Sequence, residues 1–195
     1  MFLPGLEETM NEREKYVFGN ICARRSIRRY VEGRPVEKEK ITRLLEAAMA
    51  APSACNIQPW EFIVCTDKTV IDKIKAVVFP GNGDYNTPLI MIVCGNPKFI
   101  PWENDVGTID CAAAIQNMLL AAEAMDLGSV WIGAFKNEDI RGLLGIPDNI
   151  HPVGMVYFGY PAYNPEPRTQ YVEQAIHWEK YDADRIQEKR KGCIV

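Results

Sequence analysis

The sequence predicts one globular domain of α/β or α+β class with about four strands. Its 195 residues, of which 47% are hydrophobic and 25% charged, suffice for a single hydrophobic core. Strand-like and helix-like segments alternate along most of the chain. One predicted helix, residues 105–126, is rich in alanine and apolar on almost every side, so we expect it to be central and closely packed. The domain has three layers if this helix is covered on both sides.

The first half of the chain contains two predicted helices, then a strand and a third helix. Residues 7–23 form a weakly patterned helix. The next helix has apolar residues at i, i+3, i+4, i+7 and i+8 and ends at Pro52; its apolar face comprises Ile41, Leu44, Leu45, Ala48 and Met49. Residues 60–67 alternate as a half-buried strand does, and Thr66 or Asp67 is placed to cap a helix over residues 68–79.

The second half begins with a continuous apolar run, residues 88–96, which predicts a buried strand. The alanine-rich helix follows and ends near Gly128. Residues 129–135 and 151–161 are predicted strands, and between them Asn137 is placed to cap a short helix. The tail from Val172 onward is strongly charged after Glu179, so we expect residues 180–195 to leave the core.

Composition excludes several classes of function. A formal net charge of −4 disfavours a general nucleic-acid binder. No apolar run reaches the roughly 20 residues that a membrane helix needs, and the first residues do not resemble a signal peptide. The six cysteines form no C-x-x-C pair, which favours a reducing cytoplasm. With two histidines and no metal-binding motif, no metal site is predicted. Asp105 and Asp110 lie five residues apart and do not share a helix face as a catalytic pair would.

The segment ARRSIRRY, residues 23–30, places four arginines around one serine in an acidic chain. Charge runs are often only solvated surface, and a nucleic-acid patch needs a wider basic area. The interpretation we favour is a phosphate site, because guanidinium groups bind phosphate oxygens in pairs and a serine hydroxyl completes the shell. In an extended chain, Arg24, Ser26 and Arg28 point to the same side.

A second unusual segment is APSACNIQPW, residues 51–60. Proline, serine and asparagine are common where a helix stops, so this can be an ordinary loop. It also offers Ser53, Asn56 and Gln58 to the edge of a flat heteroaromatic ligand. The sequence shows no motif for a serine nucleophile or a nucleoside triphosphate.

Several segments occur in a specific order: ARRSIRRY, APSACNIQPWEFIV, DCAAAIQNMLLAAEAMDLGSVWIGAF, GMVYFGYP and PRTQYVEQAIHW. With this order and spacing, the chain resembles the nitroreductase family of FMN flavoproteins from about residue 20 to residue 180. The resemblance implies an α+β fold, a three-layer sandwich around a mostly antiparallel sheet, in an intertwined homodimer. It implies a single FMN-binding domain over residues 1–195, with residues 180–195 as its charged tail.

The resemblance also assigns site residues. It implies that Arg24, Arg25, Ser26 and Arg28 hold the FMN phosphate and ribityl chain. Pro52, Ser53 and Asn56 are implied to reach the flavin from the partner subunit, and Trp131, Ile132 and Gly133 to lie beside the isoalloxazine ring with a backbone N–H near N5. Arg168 corresponds to a late phosphate contact, where Thr169 replaces a second basic residue found in some relatives. Asn82 or Asn86 is a candidate for the pyrimidine edge.

The implied activity is a ping-pong cycle in which NADH or NADPH gives hydride to flavin N5 and a nitroaromatic, quinone or similar small acceptor then takes the electrons. No protein residue is assigned a catalytic role, because the redox chemistry belongs to the cofactor. Alternatives on the same fold are a dehalogenase, a dehydrogenase or a flavin-fragmenting enzyme, and an alternative of another class is a non-catalytic FMN-binding or storage protein. The chain lacks the long insertion that covers the acceptor pocket in larger members; residues 96–107, with Phe99 and Trp102, are a candidate replacement.

Overall fold

A computed structural model describes residues 9–78, 85–99, 106–166 and 171–184. The chain forms two compact units: residues 24–165, and the chain ends, residues 1–23 with 166–195. The helices are α1 (Glu12–Ala23), α2 (Lys38–Met49), α3 (Lys68–Val77), α4 (Val106–Ala124) and α5 (Asn137–Leu144). The strands are β1 (Trp60–Cys65), β2 (Leu89–Gly95), β3 (Gly128–Ile132) and β4 (His151–Gly159), all within the larger unit.

The sheet of the larger unit has the strand order β1-β2-β4-β3, and every neighbouring pair is antiparallel. Together with the helices this is an α+β fold, as the resemblance implies. Strand β2 is central and all seven of its residues are buried, which confirms the prediction from its continuous apolar run. Strand β3 lies at an edge of the sheet.

Helices pack on both faces of this sheet. On one face α2 and α4 pack against side chains such as Met91 and Phe158, and on the other face α3 and α5 pack against Ile92 and Tyr157. Alternation along each strand produces these two cores, since successive residues point to opposite faces. Eight of the 19 residues of α4 are buried, while apolar Ile109 near its start stays exposed, so within this chain the helix is packed on one side more than its apolar composition predicts. The buried residues are Gly107, Asp110, Cys111, Ala114, Ile115, Met118, Leu119 and Ala122.

One predicted helix cap is confirmed, and the predicted ends of α5 and β3 differ from the structure. Asp67 caps α3, because its side chain accepts a hydrogen bond from Val70 N at 3.1 Å. Asn137 does not cap α5: it is the first helical residue, and Lys136 occupies the capping position without a side-chain bond. Strand β3 ends at Ile132, three residues before the predicted end, and Phe135 forms only an isolated bridge to Val78.

The chain-end unit contains α1, which begins with a reciprocal cap. Asn11 Oδ1 accepts from Glu14 N at 3.0 Å, and Glu14 Oε2 accepts from Asn11 N at 2.7 Å. The same unit has a 3-10 turn, Glu173–Ala175, and a stacked pair of His177 and Tyr181 rings with centroids 4.3 Å apart. In the described ranges of both units, no helix combines the length and apolar character needed to cross a bilayer.

Candidate functional site

The arginine segment, residues 24–31, runs extended along the end of the sheet where β3 begins and β4 ends. Ile27 N donates to Ser129 O at 2.9 Å, and Val31 N donates to Tyr160 O at 2.8 Å. Ser26 forms a parallel bridge with Ser129 on the outer side of β3. Ile27 is buried while Ser26 is half-buried and Arg28 exposed, which is the alternation expected of an extended chain.

Two buried side chains anchor this segment on a pair of glycines. Gly128 and Gly159 face each other across β3 and β4. A Cβ on Gly128 would lie 2.7 Å from the Ile27 side chain, and a Cβ on Gly159 would lie 2.8 Å from the Tyr30 ring. Only glycine therefore lets Ile27 and Tyr30 pack directly on the strand backbone. No local sequence pattern indicates this arrangement, since it depends on a pairing between distant strands.

Asn86 holds the segment from another side. Its Oδ1 accepts from Tyr30 N at 3.0 Å, and its Nδ2 donates to Tyr30 O at 2.7 Å. The amide is therefore engaged with the Tyr30 backbone, which does not support the expected contact with a flavin pyrimidine. Asn82, the other candidate for that contact, lies outside the described residues.

The arginine side chains form a cationic surface around Ser26. Arg25 Nη1 donates to Arg24 O at 2.8 Å and Arg28 Nη1 donates to Ser26 O at 3.3 Å. In the parts of the chain that the structure describes, no carboxylate lies within 4.0 Å of the guanidinium group of Arg24 or Arg28. The carboxyl group of Glu123 interacts electrostatically with the segment. Burial raises its pKa, and the positive charges of Arg25 and Arg24 oppose this rise.

The edge of β3 continues from the arginine segment. Because Ser129 turns its backbone polar groups to the outer edge, Trp131, two residues further, turns its own N–H the same way. Among the described residues no strand pairs with that edge beyond Ser129. The Trp131 side chain is 38% exposed and lies over Gly154, while Gly133 is exposed and Ile132 points into the core.

The segment 52–58 is a tight, strained loop. Cys55, Asn56 and Gln58 have φ of 49°, 56° and 54°, a left-handed conformation that costs free energy in residues other than glycine. Ser53 Oγ accepts from Gln58 N at 3.0 Å, and Gln58 Nε2 donates to Asn56 Oδ1 at 3.2 Å. Such strain is retained where surrounding contacts enforce it.

A buried carboxylate fixes this loop to α4. Both Asp110 oxygens accept from Ala54 N, each at 3.2 Å. Asp110 thus positions the loop, and Asp105, with which the sequence predicts no catalytic pair, lies outside the described residues. The structure joins the arginine segment to β3 and this loop to α4. Arg168 and Trp102 also lie outside the described residues.

The buried thiols of Cys94 and Cys111 are poorly suited to act as nucleophiles. Burial raises the pKa of the Cys94 thiol to about 11 and that of Cys111 to about 12, so both are protonated at neutral pH. Within the described ranges no three His, Cys, Asp or Glu residues come together as a metal-binding group. These two thiols are therefore not candidates for catalysis, and among the described cysteines Cys55, in the loop at residues 52–58, is the exposed one.

Comparison with known proteins identifies the family. The model of the nitroreductase family matches residues 21–96 and 85–160. The chain belongs to the nitroreductase family. It is 42% identical over 145 residues to a protein of Archaeoglobus fulgidus described as a candidate NADH dehydrogenase/NAD(P)H nitroreductase, covering 72% of this chain and 83% of that protein.

Two more distant nitroreductase relatives bear on the ligand. The FMN reductase [NAD(P)H] of Bacillus subtilis is 28% identical over 192 residues, covering 88% of this chain and 75% of that protein. The structure of a candidate nitroreductase from Desulfovibrio desulfuricans in complex with FMN is 29% identical, with a TM-score of 0.75, covering 89% of this chain and 99% of that one.

The donor set of this nitroreductase fits an FMN phosphate. Arg24 and Arg28 present guanidinium groups without an acidic partner within ion-pair distance in the described chain, and the Ser26 hydroxyl lies between them in sequence. The open edge of β3 begins beside Ser26, and Trp131 N–H lies roughly 7 Å further along the strand. An elongated ligand with an anionic end can follow this line.

Proposed function

We propose that this chain is an FMN-dependent NAD(P)H oxidoreductase that passes electrons to a nitroaromatic, quinone or similar small acceptor. One observation carries the proposal: a cluster of guanidinium groups and a serine hydroxyl lies at the start of an open strand edge. Membership of the nitroreductase family, and relatives named for FMN and NAD(P)H, support it.

Each binding residue has a proposed role. Arg24, Arg25, Ser26 and Arg28 hold the phosphate and ribityl chain by charge-assisted hydrogen bonds. At the other end of the site, the Trp131 N–H would donate toward the isoalloxazine ring, and Ile132 and Gly133 would shape the strand beside it. A hydrogen-bond donor placed there stabilises negative charge that develops on a bound ligand. Arg168 adds a late phosphate contact.

FMN, when bound, supplies the hydride and electron chemistry. The protein binds it, orients it and leaves room for NADH or NADPH and then for the acceptor in the same pocket. No protein side chain is assigned a catalytic role, in keeping with the protonated thiols of Cys94 and Cys111. The acceptor leaves with the two electrons that the nicotinamide brought.

The proposed working form is an intertwined homodimer of one FMN-binding domain, residues 1–195 with residues 180–195 as a tail, in the cytoplasm. Pro52, Ser53 and Asn56 of the second subunit complete each flavin site. One feature supports this arrangement: Pro52 and Asn56 are exposed in a loop whose conformation is held by hydrogen bonds to Ser53 and Asp110.

Anaerobic reduction tests the proposed activity. The purified protein is mixed with FMN, freed of excess ligand, and titrated with NADH or NADPH without oxygen while the flavin absorbance is followed. We expect bound flavin that bleaches with at least one nicotinamide and recovers when a quinone is added. A protein that takes up no FMN contradicts the proposal, and bound flavin that neither nicotinamide bleaches indicates a storage or binding protein instead.

A further inference from the structure

Asn86 makes an unusual contact with the arginine segment, because both ends of its side-chain amide bind the backbone of a single residue. The Tyr30 N–H donates to Oδ1 and the Tyr30 carbonyl accepts from Nδ2, at 3.0 and 2.7 Å. We propose that Asn86 is a positioning residue for phosphate binding, acting through the backbone of Tyr30. The inference rests on the proposed FMN site and goes beyond it by adding a residue that does not touch the ligand.

The amide of Asn86 does what a neighbouring strand would do for Tyr30. In an antiparallel pair, one residue gives both a donor and an acceptor to the residue opposite. Asn86 supplies the same two groups from a side chain 56 positions away in sequence. The two bonds fix two successive peptide planes, the one before Tyr30 and the one after it, and both lie in a part-buried setting where water competes poorly.

Fixing Tyr30 constrains the phosphate-binding residues because the segment is short. Ile27 is held at one end by Ser129 and by its packing on Gly128. Tyr30 is held at the other end, where its ring packs on Gly159 and its hydroxyl donates to Ile27 O at 2.8 Å. Arg28 lies between these anchors, so the direction of its side chain depends on both.

Other contacts also hold this end of the segment, and they limit the size of the effect. Val31 N donates to Tyr160 O at 2.8 Å, and Ala162 N donates to Arg29 O at 3.0 Å. Loss of Asn86 should therefore loosen the segment without releasing it. Couplings of this indirect kind change binding by about 3- to 30-fold.

The experiment compares two flavins that differ by one phosphate. Dissociation constants for FMN and riboflavin are measured by flavin fluorescence on the full chain stripped of flavin, for wild type and Asn86→Ala. We expect Asn86→Ala to raise the constant for FMN about 3- to 30-fold and that for riboflavin less than about 2-fold. In an Arg28→Ala background, the effect of Asn86→Ala on FMN should shrink, because the affected contact is already gone.

Asn117→Ala is the matched control. Asn117 lies on α4, and its Nδ2 donates to the backbone carbonyl of Ala47 at 3.0 Å, also in a part-buried setting. Its loss should leave both flavin constants unchanged. Asn86→Ser, which keeps a polar group and leaves a smaller gap, replaces Asn86→Ala if the latter fails to fold, with the same expected selectivity.

The possible results separate the inference from the proposed function. Equal losses for FMN and riboflavin, or an unchanged constant for FMN, would overturn the positioning role of Asn86. If wild type itself binds no FMN, the proposed function fails first. Wild-type binding of FMN with a phosphate-selective loss in the Asn86 variants supports both.

Discussion

Gly128→Ala tests whether the arginine segment depends on its close contact with β3. The new Cβ would lie 2.7, 2.8 and 2.9 Å from Cγ2, Cβ and Cγ1 of Ile27. Ordinary van der Waals contact begins at 3.4 Å, so the Ile27 side chain must move away from the new Cβ by about 0.7 Å. A β-branched side chain that is 4% exposed cannot rotate away, and the backbone of the segment must move with it.

Overpacking of this kind costs about 1–3 kcal/mol of unfolding free energy. The displaced segment carries Ser26 and Arg28, so we expect a roughly 10-fold weaker FMN complex as well. Urea unfolding followed by circular dichroism measures the first effect and flavin fluorescence the second. Gly142→Ala in α5 is the control: its Cβ meets nothing within 4 Å, and alanine in a helix should stabilise by about 0.5–1 kcal/mol. Wild-type stability and FMN affinity in Gly128→Ala would refute the reasoning.

Two further predictions concern the loop at residues 52–58 and the end of β4. Cys55 is exposed whereas Cys94 and Cys111 are buried with raised pKa values, so a thiol reagent at neutral pH should label Cys55 before these two. If this loop covers the flavin, FMN should slow the labelling of Cys55, and equal rates with and without FMN would argue against the loop assignment. The Tyr160 hydroxyl lowers the pKa of Glu37 below its ordinary value of 4.5, so this contact stabilises the fold above about pH 4.5 and is lost as the pH falls through the lowered value. Tyr160→Phe should therefore flatten the fall in unfolding free energy on acidification below pH 4.5, and an unchanged pH dependence would contradict this.

Local sequence signals were sufficient for the elements of the fold. Hydrophobic alternation predicted β1, continuous apolar character predicted the buried β2, and Asp67 predicted the start of α3. The prediction that Asn137 caps α5 was wrong, since Lys136 takes the capping position and Asn137 is the first helical residue. Residue propensity is a weak guide to a helix end, because tertiary context can override it.

The site was predictable only where its residues are adjacent in sequence. The arginines and Ser26 are neighbours in sequence and predict an anion site without any long-range contact, and this site stays a prediction. The proposed role of Asn86 cannot be predicted from the sequence, because it depends on a contact with Tyr30, 56 positions away in the chain. The same holds for Asp110, whose carboxylate binds Ala54 N at the same separation. The left-handed residues Cys55 and Asn56 gave no sign either, since no glycine marks the strained turn.

The central claim is that guanidinium groups of the arginine segment bind the phosphate of FMN. The most direct test is the FMN dissociation constant of the double variant Arg24→Ala with Arg28→Ala, with riboflavin as the ligand that lacks the phosphate. Each charge-assisted contact contributes about 1.5–3 kcal/mol, so we expect FMN binding to weaken by about 10²- to 10⁴-fold while riboflavin binding stays unchanged. An unchanged FMN constant in that variant would contradict the account.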